Sequence, residues 1–249
     1  MGPPEKQTLI SNGGGFVFYV RCTYDNARQI NSRCGYSSFH GPWWVRKNLI
    51  GFSAASSGED RTFSLGEQLV AQLPRECVQT IKGSVGHCFC RAGGLFQAVY
   101  VIQEGSVKTD YVLANGQYQI LQFLYPGDFF GSDGVASGFY CFDRMALTDT
   151  IVQRIAFAAL HQQMAINPSV QRLYEQVVSQ DIVHTQDHVF SLGKHSTEQK
   201  LAFFLLDFQD RHPSYSKTLR LPMGREDLSS YLGVTIESLS RAFSFLERN

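Results

Sequence analysis

A row of four polar side chains near the C-terminal end of the sequence has the spacing and the chemistry for hydrogen bonding to a patterned surface. The row consists of Glu237, Ser240, Arg241 and Ser244. These positions, i, i+3, i+4 and i+7, share one face of an α-helix. A guanidinium can hold both acceptors of a guanine, a carboxylate can accept from a cytosine, and the major groove of B-DNA admits such a helix. The other interpretation is an ordinary solvated face on which Glu237 and Arg241 form an ion pair.

Two short helices are needed to position this row. The first carries Leu228 and Leu232 on one side, with Tyr231 beside them. Gly233 then fits the left-handed residue that ends a helix, and Thr235 fits the N-cap of the next one. The second helix places its apolar residues opposite the polar row, at Ile236, Leu239, Phe243 and Leu246. The stretch therefore predicts a helix–turn–helix whose second helix presents its polar face outward.

Upstream, from about residue 77 to residue 155, short apolar stretches are cut at regular intervals by glycines. One set of alternating residues, which predicts one face of a half-buried strand, consists of Val107, Thr109, Tyr111 and Leu113. The residues between them are Ser106, Lys108, Asp110 and Val112. Turns are predicted at Glu104-Gly105 and Asn115-Gly116. Short strands at this spacing are typical of an antiparallel barrel or sandwich.

After Pro168 the apolar period changes to that of a helix. Its stripe comprises Val170, Leu173, Tyr174, Val177 and Val178. Such a stripe can pack on its own barrel or pair with a second copy as a dimer seam. Ser196 and Gln199 form a capping box that opens a further helix. We predict an α+β chain with an irregular extension at 1–60, a β-barrel at 61–160, a dimerisation helix at 165–194 and the helix–turn–helix at 195–249.

The bulk composition sets the class of protein. The chain has 249 residues, of which 43% are hydrophobic and 18% charged, as in a folded globular protein. The formal net charge is zero, so nucleic-acid binding would depend on placed contacts more than on a strong overall field. No apolar run is long enough to cross a membrane, and the first residues lack the features of a secretory signal. We expect a cytoplasmic protein.

Two stretches resemble the FNR branch of the cyclic-AMP receptor protein/FNR (CRP/FNR) family of bacterial transcription regulators. The stretch REDLSSYLGVTIESLSRAF is similar to that branch's helix–turn–helix, with its E-x-x-S-R recognition helix. The stretches AGGLFQAVYVIQEGSVKT and GQYQILQFLYPGDFFGSDGV resemble the family's effector domain, a cyclic-nucleotide-binding-like jelly roll. The resemblance implies a homodimer that binds double-stranded DNA at a TTGAT-like inverted repeat, with RNA polymerase as a further partner.

From this resemblance we predict DNA contacts at five positions, Thr235, Glu237, Ser240, Arg241 and Ser244. Arg241 would bind the guanine, and Glu237 and Ser240 would contact neighbouring bases. In the family a β-hairpin wing follows the recognition helix. The sequence stops at Asn249, so the wing is expected to be missing and some phosphate contacts with it.

The resemblance also indicates which signals could control the protein. Cyclic-AMP binders of the family hold the phosphate with an Arg-Ser pair. The matching positions here are Tyr140 and Cys141. The carboxylates of Asp128 and Asp133 are expected nearby, and no cation is expected to balance a phosphate. Cyclic AMP is therefore an improbable ligand. Oxygen sensors of the FNR type hold a [4Fe–4S] cluster with four thiolates. The candidate ligands here are Cys22, Cys34 and Cys141, whereas the family's fourth position falls at Gln153. The spacing disfavours the cluster without excluding it, and thiol oxidation is an alternative signal.

Two other classes of function compete with a DNA-binding regulator. The sequence contains no G-x-S-x-G, P-loop or H-E-x-x-H motif, so we do not expect an enzyme or assign catalytic residues. His184 and His188, four residues apart on a helix, could chelate a metal, although a solvated pair is the simpler interpretation. The second class is a sensor or interaction module that acts through its barrel without binding DNA.

Overall fold

Short strands separated by turns form most of the chain between residues 78 and 156. In the computed structural model, which describes residues 18–20, 63–112, 116, 118–212 and 219–248, these strands make two four-stranded antiparallel sheets. The strands are β2 (Val78–Gly83), β3 (Cys88–Cys90), β4 (Ala98–Glu104), β5 (Val107–Val112), β6 (Tyr118–Leu124), β7 (Phe129–Phe130), β8 (Asp143–Ala146) and β9 (Thr150–Ala156). The first sheet has the order β2-β9-β4-β7 and the second has the order β3-β8-β5-β6. The fold is the predicted jelly-roll-like arrangement of antiparallel strands, referred to below as the barrel.

The predicted hairpin between β5 and β6 is confirmed. Val112 pairs with Tyr118 next to the connection, and Gly116 has a φ of +83°, a conformation that costs glycine little. Asn115, the other predicted turn residue, lies outside the described residues.

The predicted alternation along β5 is wrong beyond its third residue. Val107 and Thr109 are buried as expected, but Asp110 is buried and Tyr111 is 47% exposed. The register with β6 shifts between Thr109 and Asp110. The extra residue of this bulge lies on β6, where Leu121 has no partner on β5, so the irregular pairing coincides with the point at which the alternation of β5 ends.

The predicted turn at Gly105, between β4 and β5, offers a matched test of backbone geometry. Gly105 has a φ of +86°, and a Cβ there would stand 2.4 Å from the Asp149 carbonyl oxygen. Gly116 has a similar φ of +83° with nothing within 4 Å of its Cβ position. We expect Gly116→Ala to cost about 1–2 kcal/mol for the left-handed backbone alone. Gly105→Ala should cost about 1–3 kcal/mol more because its Cβ collides with backbone. Urea unfolding of the two variants measures the difference, and equal costs would contradict the described turn.

Six helices complete the described chain. They are α1 (Leu65–Ala71), α2 (Phe157–Ile166), α3 (Pro168–Lys194), α4 (Thr197–Arg211), α5 (Arg225–Leu232) and α6 (Ile236–Arg248). The helix predicted after Pro168 is confirmed as α3, with proline in its first turn and the Asn167 side chain accepting from the Ser169 N–H. The predicted capping box is also confirmed, since Ser196 and Gln199 exchange both hydrogen bonds at the start of α4. No described helix has both the length and the apolar character needed to cross a membrane.

The first half of α3 packs on the first sheet, and the C-terminal elements pack on β6 of the second sheet. Val170 and Val177 of α3 are buried with Val99, Val101 and Ile155 of the first sheet. A second core joins β6 to the C-terminal unit, which we define as α4, β10 (Leu219–Leu221), α5 and α6. This core includes, from β6 and the residue after it, Ile120, Phe123 and Tyr125, and from the C-terminal unit Leu201, Leu205, Phe208, Leu228 and Leu239. The C-terminal unit is therefore seated on the barrel's edge strand.

One described strand lies within the first 60 residues, where the sequence pattern predicted no regular element. Phe18–Val20 forms β1 and pairs antiparallel with β10. β10 is itself limited to three residues. The described part of the N-terminal segment, Phe18–Val20, therefore pairs with the C-terminal unit.

Candidate nucleic-acid interface

Helices α5 and α6 form a helix–turn–helix with a three-residue connection. Gly233 has a φ of +60°, and its N–H donates to the Ser230 carbonyl at 3.1 Å, which ends α5 as predicted. The Thr235 hydroxyl accepts from the Ser238 N–H at 3.2 Å, which confirms Thr235 as the N-cap of α6. These two local devices fix the angle at which α6 leaves the turn.

One face of α6 is buried against the rest of the C-terminal unit. Leu239, Phe243 and Leu246 belong to the second core, as the apolar stripe predicted. Ile236 was predicted to join them, but it is 41% exposed. It lies in the first turn of α6, where it lines an open cleft of about 570 Å³ between the helix–turn–helix and the edge strand β6. The N-terminal half of α6 is consequently reachable from solvent.

The polar row lies on the opposite face. Glu237, Arg241 and Ser244 are exposed, and Ser240 is half-buried. Hydrogen bonds from the backbone N–H of Glu237 and from Thr235 lower the pKa of the Glu237 carboxyl, and Arg241 adds a smaller attraction. The carboxylate is therefore ionised and can act as an acceptor. The Arg241 guanidinium donates to the Ser238 hydroxyl at 3.1 Å and does not form the ion pair with Glu237 that the alternative interpretation of this row supposed.

Two residues that the sequence pattern did not single out organise this face. The Arg225 guanidinium, at the start of α5, donates to the Ser240 hydroxyl at 2.8 Å. Ser238 bonds both Thr235, at 3.1 Å between hydroxyl oxygens, and Arg241. The position of Ser238, three residues before Arg241 on the same helix, is a signal that could have identified it. The contact between Arg225 and Ser240 depends on how α5 and α6 pack and has no such local signal.

The barrel residues predicted to surround a cyclic phosphate have other partners. Contrary to the expectation of no cation, Arg144 lies there, is 5% exposed, and pairs with Asp133 at 2.8 Å between Nη2 and Oδ1. Its strand position, opposite Thr109 on β5, turns it inward. Asp128 is bound to Arg211 of α4 at 2.7 Å, and the buried Tyr140 hydroxyl donates to the Ala98 carbonyl at 2.8 Å. A cyclic phosphate would have to displace Asp133 to use the Arg144 charge.

Two family models match separate parts of the chain. A cyclic nucleotide-binding domain matches residues 84–167, and a Crp-like helix-turn-helix domain matches residues 199–249. The nitrogen fixation regulation protein FixK of Bradyrhizobium diazoefficiens is 34% identical over 153 residues, which are 60% of this chain and 64% of FixK. The transcriptional regulatory protein btr of Bordetella pertussis is 35% identical over 150 residues, which are 59% of this chain and 62% of btr. The chain belongs to the CRP/FNR family.

The solved structure of FixK2 from Bradyrhizobium japonicum has the same fold. It superposes with a TM-score of 0.64 at 27% sequence identity, and the match covers 69% of this chain and 85% of FixK2. The chain spans less than two thirds of the length of FixK and of btr. The order of elements expected for a CRP/FNR chain, a jelly-roll-like domain followed by a long helix and a helix–turn–helix, is the order observed.

The predicted thiolate ligands of this CRP/FNR chain are only partly described. Cys22 and Cys34 lie outside the described residues. Cys141 is exposed, and its backbone N–H donates to Asp133 at 2.7 Å. Gln153, at the family's fourth ligand position, bonds Gln103 at 2.8 Å across the sheet. Within the described ranges, no three His, Cys, Asp or Glu side chains are grouped to hold a metal ion.

The two histidines considered for metal chelation bind protein groups instead. The His188 ring stacks on the Tyr231 ring of α5, with centroids 3.9 Å apart and planes 8° apart. His184 Nδ1 lies 3.2 Å from Nη2 of Arg211. Both side chains therefore join α3 to the C-terminal unit.

Burial of His188 predicts an acid-sensitive interface. Burial lowers its pKa from 6.5 to about 4, so the folded protein keeps the ring neutral while the unfolded chain takes up a proton below pH 6.5. The unfolded state then binds more protons between these two pKa values, and the free energy of unfolding falls as the pH falls. We expect a loss of about 1–2 kcal/mol between pH 7 and pH 5. Burial also lowers the pKa values of His195 and His212, which adds to the loss in the same direction.

The measurement is urea unfolding of the wild type and of His188→Gln at pH 5 and pH 7. The variant should show a smaller difference between the two pH values, whatever its absolute stability. His161→Gln, which removes an exposed histidine of α2, is the control and should keep the wild-type difference. A His188→Gln protein with an unchanged pH dependence would contradict the assignment.

Proposed function

We propose that this chain is a sequence-specific DNA-binding regulator of transcription. The observation that carries the proposal is the outward face of α6. Glu237, Arg241 and Ser244 are exposed on a helix whose other face is anchored in the core, directly after a glycine-ended turn. This is the arrangement in which the second helix of a helix–turn–helix enters the major groove. Membership of the CRP/FNR family supports it independently.

The hydrogen bonds on the exposed face of α6 suggest which of the five predicted contact residues read bases and which position the helix or contact phosphate. Arg241 keeps donors beyond the one bound to Ser238, so it can bind guanine O6 and N7, while the Glu237 carboxylate can accept from cytosine. Ser240 accepts from Arg225, which leaves its own O–H to donate. Thr235 is occupied as the N-cap, and Ser244 donates to the Ser240 carbonyl at 3.1 Å. We therefore assign base reading to Glu237, Ser240 and Arg241, and positioning or phosphate contacts to Thr235 and Ser244.

We propose that two copies of the chain pair through the second half of α3. That half leaves apolar side chains exposed, with Ile182 at 52%, Val189 at 62% and Phe190 at 53%. Ile182 and Val189 are one heptad apart, the spacing of a coiled-coil seam. Each interpretation of the apolar side chains of α3 then applies to one half of the helix. The first half packs on the barrel of its own chain, and the second half pairs with the second copy. A parallel pair would present two copies of α6 to the two halves of an inverted repeat.

The remaining parts of the proposal follow from the resemblance and from the barrel. We assign RNA polymerase as a partner and a cytoplasmic location, and we assign no enzymatic activity. The pairing of Arg144 with Asp133 argues against cyclic AMP as the effector. A response to oxygen or redox state is consistent with the exposed thiol of Cys141 and with the FNR-like pattern of the sequence.

The test is selection of bound sequences from a pool of random duplexes. We expect enrichment of a two-fold inverted repeat with TTGAT-like half-sites. Light scattering of the complex should give two protein chains per duplex. If the protein is folded and dimeric but no sequence is enriched, the result would favour the sensor or interaction module that acts through the barrel.

A further inference from the structure

One arginine contacts three parts of the molecule, namely the C-terminal unit to which it belongs, the barrel and α3. Arg211 is the last residue of α4, in the C-terminal unit. Its Nη1 donates to Asp128 Oδ2 of the barrel at 2.7 Å, and its Nη2 lies 3.2 Å from His184 Nδ1 of α3. Arginine has no acceptor, so Nδ1 must supply the lone pair in this bond. We call this set of three side chains, Asp128, His184 and Arg211, the clamp.

The clamp is largely shielded from solvent, which makes its hydrogen bonds selective in angle. The Arg211 side chain is 18% exposed and that of Asp128 is 22% exposed. The guanidinium lies 5.6 Å from the centre of the buried Tyr125 ring, and Asp128 also accepts from the Tyr125 N–H at 2.9 Å. Charge-assisted bonds in such a desolvated place are stronger and more selective in angle than bonds at the surface. Removing Asp128 would leave Arg211 beside Asp207, whose carboxylate is 3.5 Å from Nε and whose side chain is 43% exposed, so the remaining pair would be longer and better solvated.

Three further contacts of the C-terminal unit with the barrel or with α3 link two parts each. Lys108 of β5 pairs with Asp227 of α5 at 2.8 Å, and the Ile120 N–H donates to the Ser230 hydroxyl at 3.0 Å. The His188 ring stacks on the Tyr231 ring between α3 and α5. These contacts hold the α5 side of the unit, and the apolar face of α4 packs on β6. The clamp adds a charged, angle-selective contact at the C-terminal end of α4 and ties that end to both the barrel and α3, so it restrains rotation of the unit on this apolar surface.

We infer that the clamp is a specificity-determining element that sets the spacing between the two half-sites. The inference builds on the proposed function, because it requires two copies joined through α3. If α3 is the dimer seam, the angle between α3 and the C-terminal unit fixes the separation and the relative rotation of the two α6 helices. Adding one base pair between half-sites moves the second half-site by about 3.4 Å and turns it by about 34–36°. A rigid pair of units cannot follow that change, whereas a loosened pair can.

The experiment measures binding by fluorescence anisotropy to duplexes in which TTGAT and ATCAA are separated by three, four, five or six base pairs. A duplex with a single half-site and a scrambled duplex are included. The proteins are the wild type, Asp128→Asn and Arg211→Gln, with Arg172→Gln as the control. Arg172 is exposed on the first half of α3, away from the clamp. Circular dichroism melting confirms that each protein is folded, and Asp128→Asn preserves the shape of the side chain should Arg211→Gln fail to fold.

The wild type and Arg172→Gln should prefer one spacing and lose at least about 10-fold in affinity for each base pair added or removed. Both clamp variants should flatten this penalty to about 3-fold or less and bind the best duplex about 10-fold more weakly, with half-site affinity unchanged. Clamp variants that keep the wild-type spacing profile would overturn the inference and leave the proposed function intact. Equal loss on the half-site and the full repeat would also overturn it. A wild type that binds every repeat no better than the scrambled duplex would overturn the proposed function itself, and the inference with it.

Discussion

Replacement of Arg241 with alanine is expected to abolish most of the preference for the specific DNA sequence. Arg241 is exposed on α6, and its guanidinium is pre-oriented by the hydrogen bond to Ser238. A bidentate contact with guanine contributes about 1–3 kcal/mol of discrimination. An inverted repeat bound by two copies contains that contact twice, so the expected loss is about 2–6 kcal/mol, or roughly 30-fold at the least. The measurement is the ratio of affinities for the TTGAT repeat and for a duplex with both guanines replaced.

The controls separate base reading from charge. Arg248→Ala removes an exposed arginine from the last turn of the same helix, where Nε donates to the Ser244 carbonyl. Arg248 lies outside the N-terminal half of α6 that reads bases, so it can contact phosphate at most, and a phosphate contact carries no sequence information. The ratio of the two affinities should therefore stay at the wild-type value. If Arg241→Ala behaved in the same way, with equal losses on both duplexes, Arg241 would be a phosphate contact and the assignment of base reading would be wrong.

Truncation of Leu239 is expected to have the largest effect on stability among the residues of α6. Its side chain is fully buried in the core that joins α4, α5 and α6 to β6. Replacing a fully buried leucine with alanine costs about 2–5 kcal/mol, because it removes apolar contacts and leaves a cavity. Ile236→Ala is the matched control, since Ile236 is on the same helix but is 41% exposed, and it should cost about 1 kcal/mol.

Urea unfolding monitored by circular dichroism gives both free energies. Leu239→Ala should also weaken DNA binding, because a loosened α6 no longer holds its polar face in one orientation, whereas Ile236→Ala should leave that orientation intact. Similar costs for the two substitutions would show that α6 is not anchored through Leu239 as described.

The features that the sequence predicts correctly are those set by local physics. The period of 3.6 residues places Leu239 and Arg241 on opposite faces of α6 wherever that helix sits. The left-handed Gly233 and the capping box at Ser196 depend on residues within a few positions of each other. Resemblance to a family adds the order of the domains, which local pattern alone could not supply.

The features that the sequence does not predict depend on partners far along the chain. The bulge at Leu121 of β6 depends on the register between β5 and β6, and beside it Asp110 is buried and Tyr111 exposed, the reverse of the faces expected from the pattern. Asp128 and Arg211 are 83 residues apart, so nothing in either neighbourhood signals the ion pair. For the same reason Asp128 was predicted to line the barrel's ligand site when it instead binds the C-terminal unit.

The most direct test of the central claim is the affinity of the wild-type protein for a TTGAT–N4–ATCAA duplex relative to a scrambled duplex. Fluorescence anisotropy at fixed salt, on protein purified with and without oxygen, supplies the ratio under both conditions. We predict a preference of at least about 1,000-fold for the specific duplex in one or both preparations, within the range of sequence-specific DNA-binding proteins. A preference confined to oxygen-free protein would add a redox signal and direct attention to Cys22, Cys34 and Cys141. A ratio near one in both preparations would contradict the claim that α6 reads DNA.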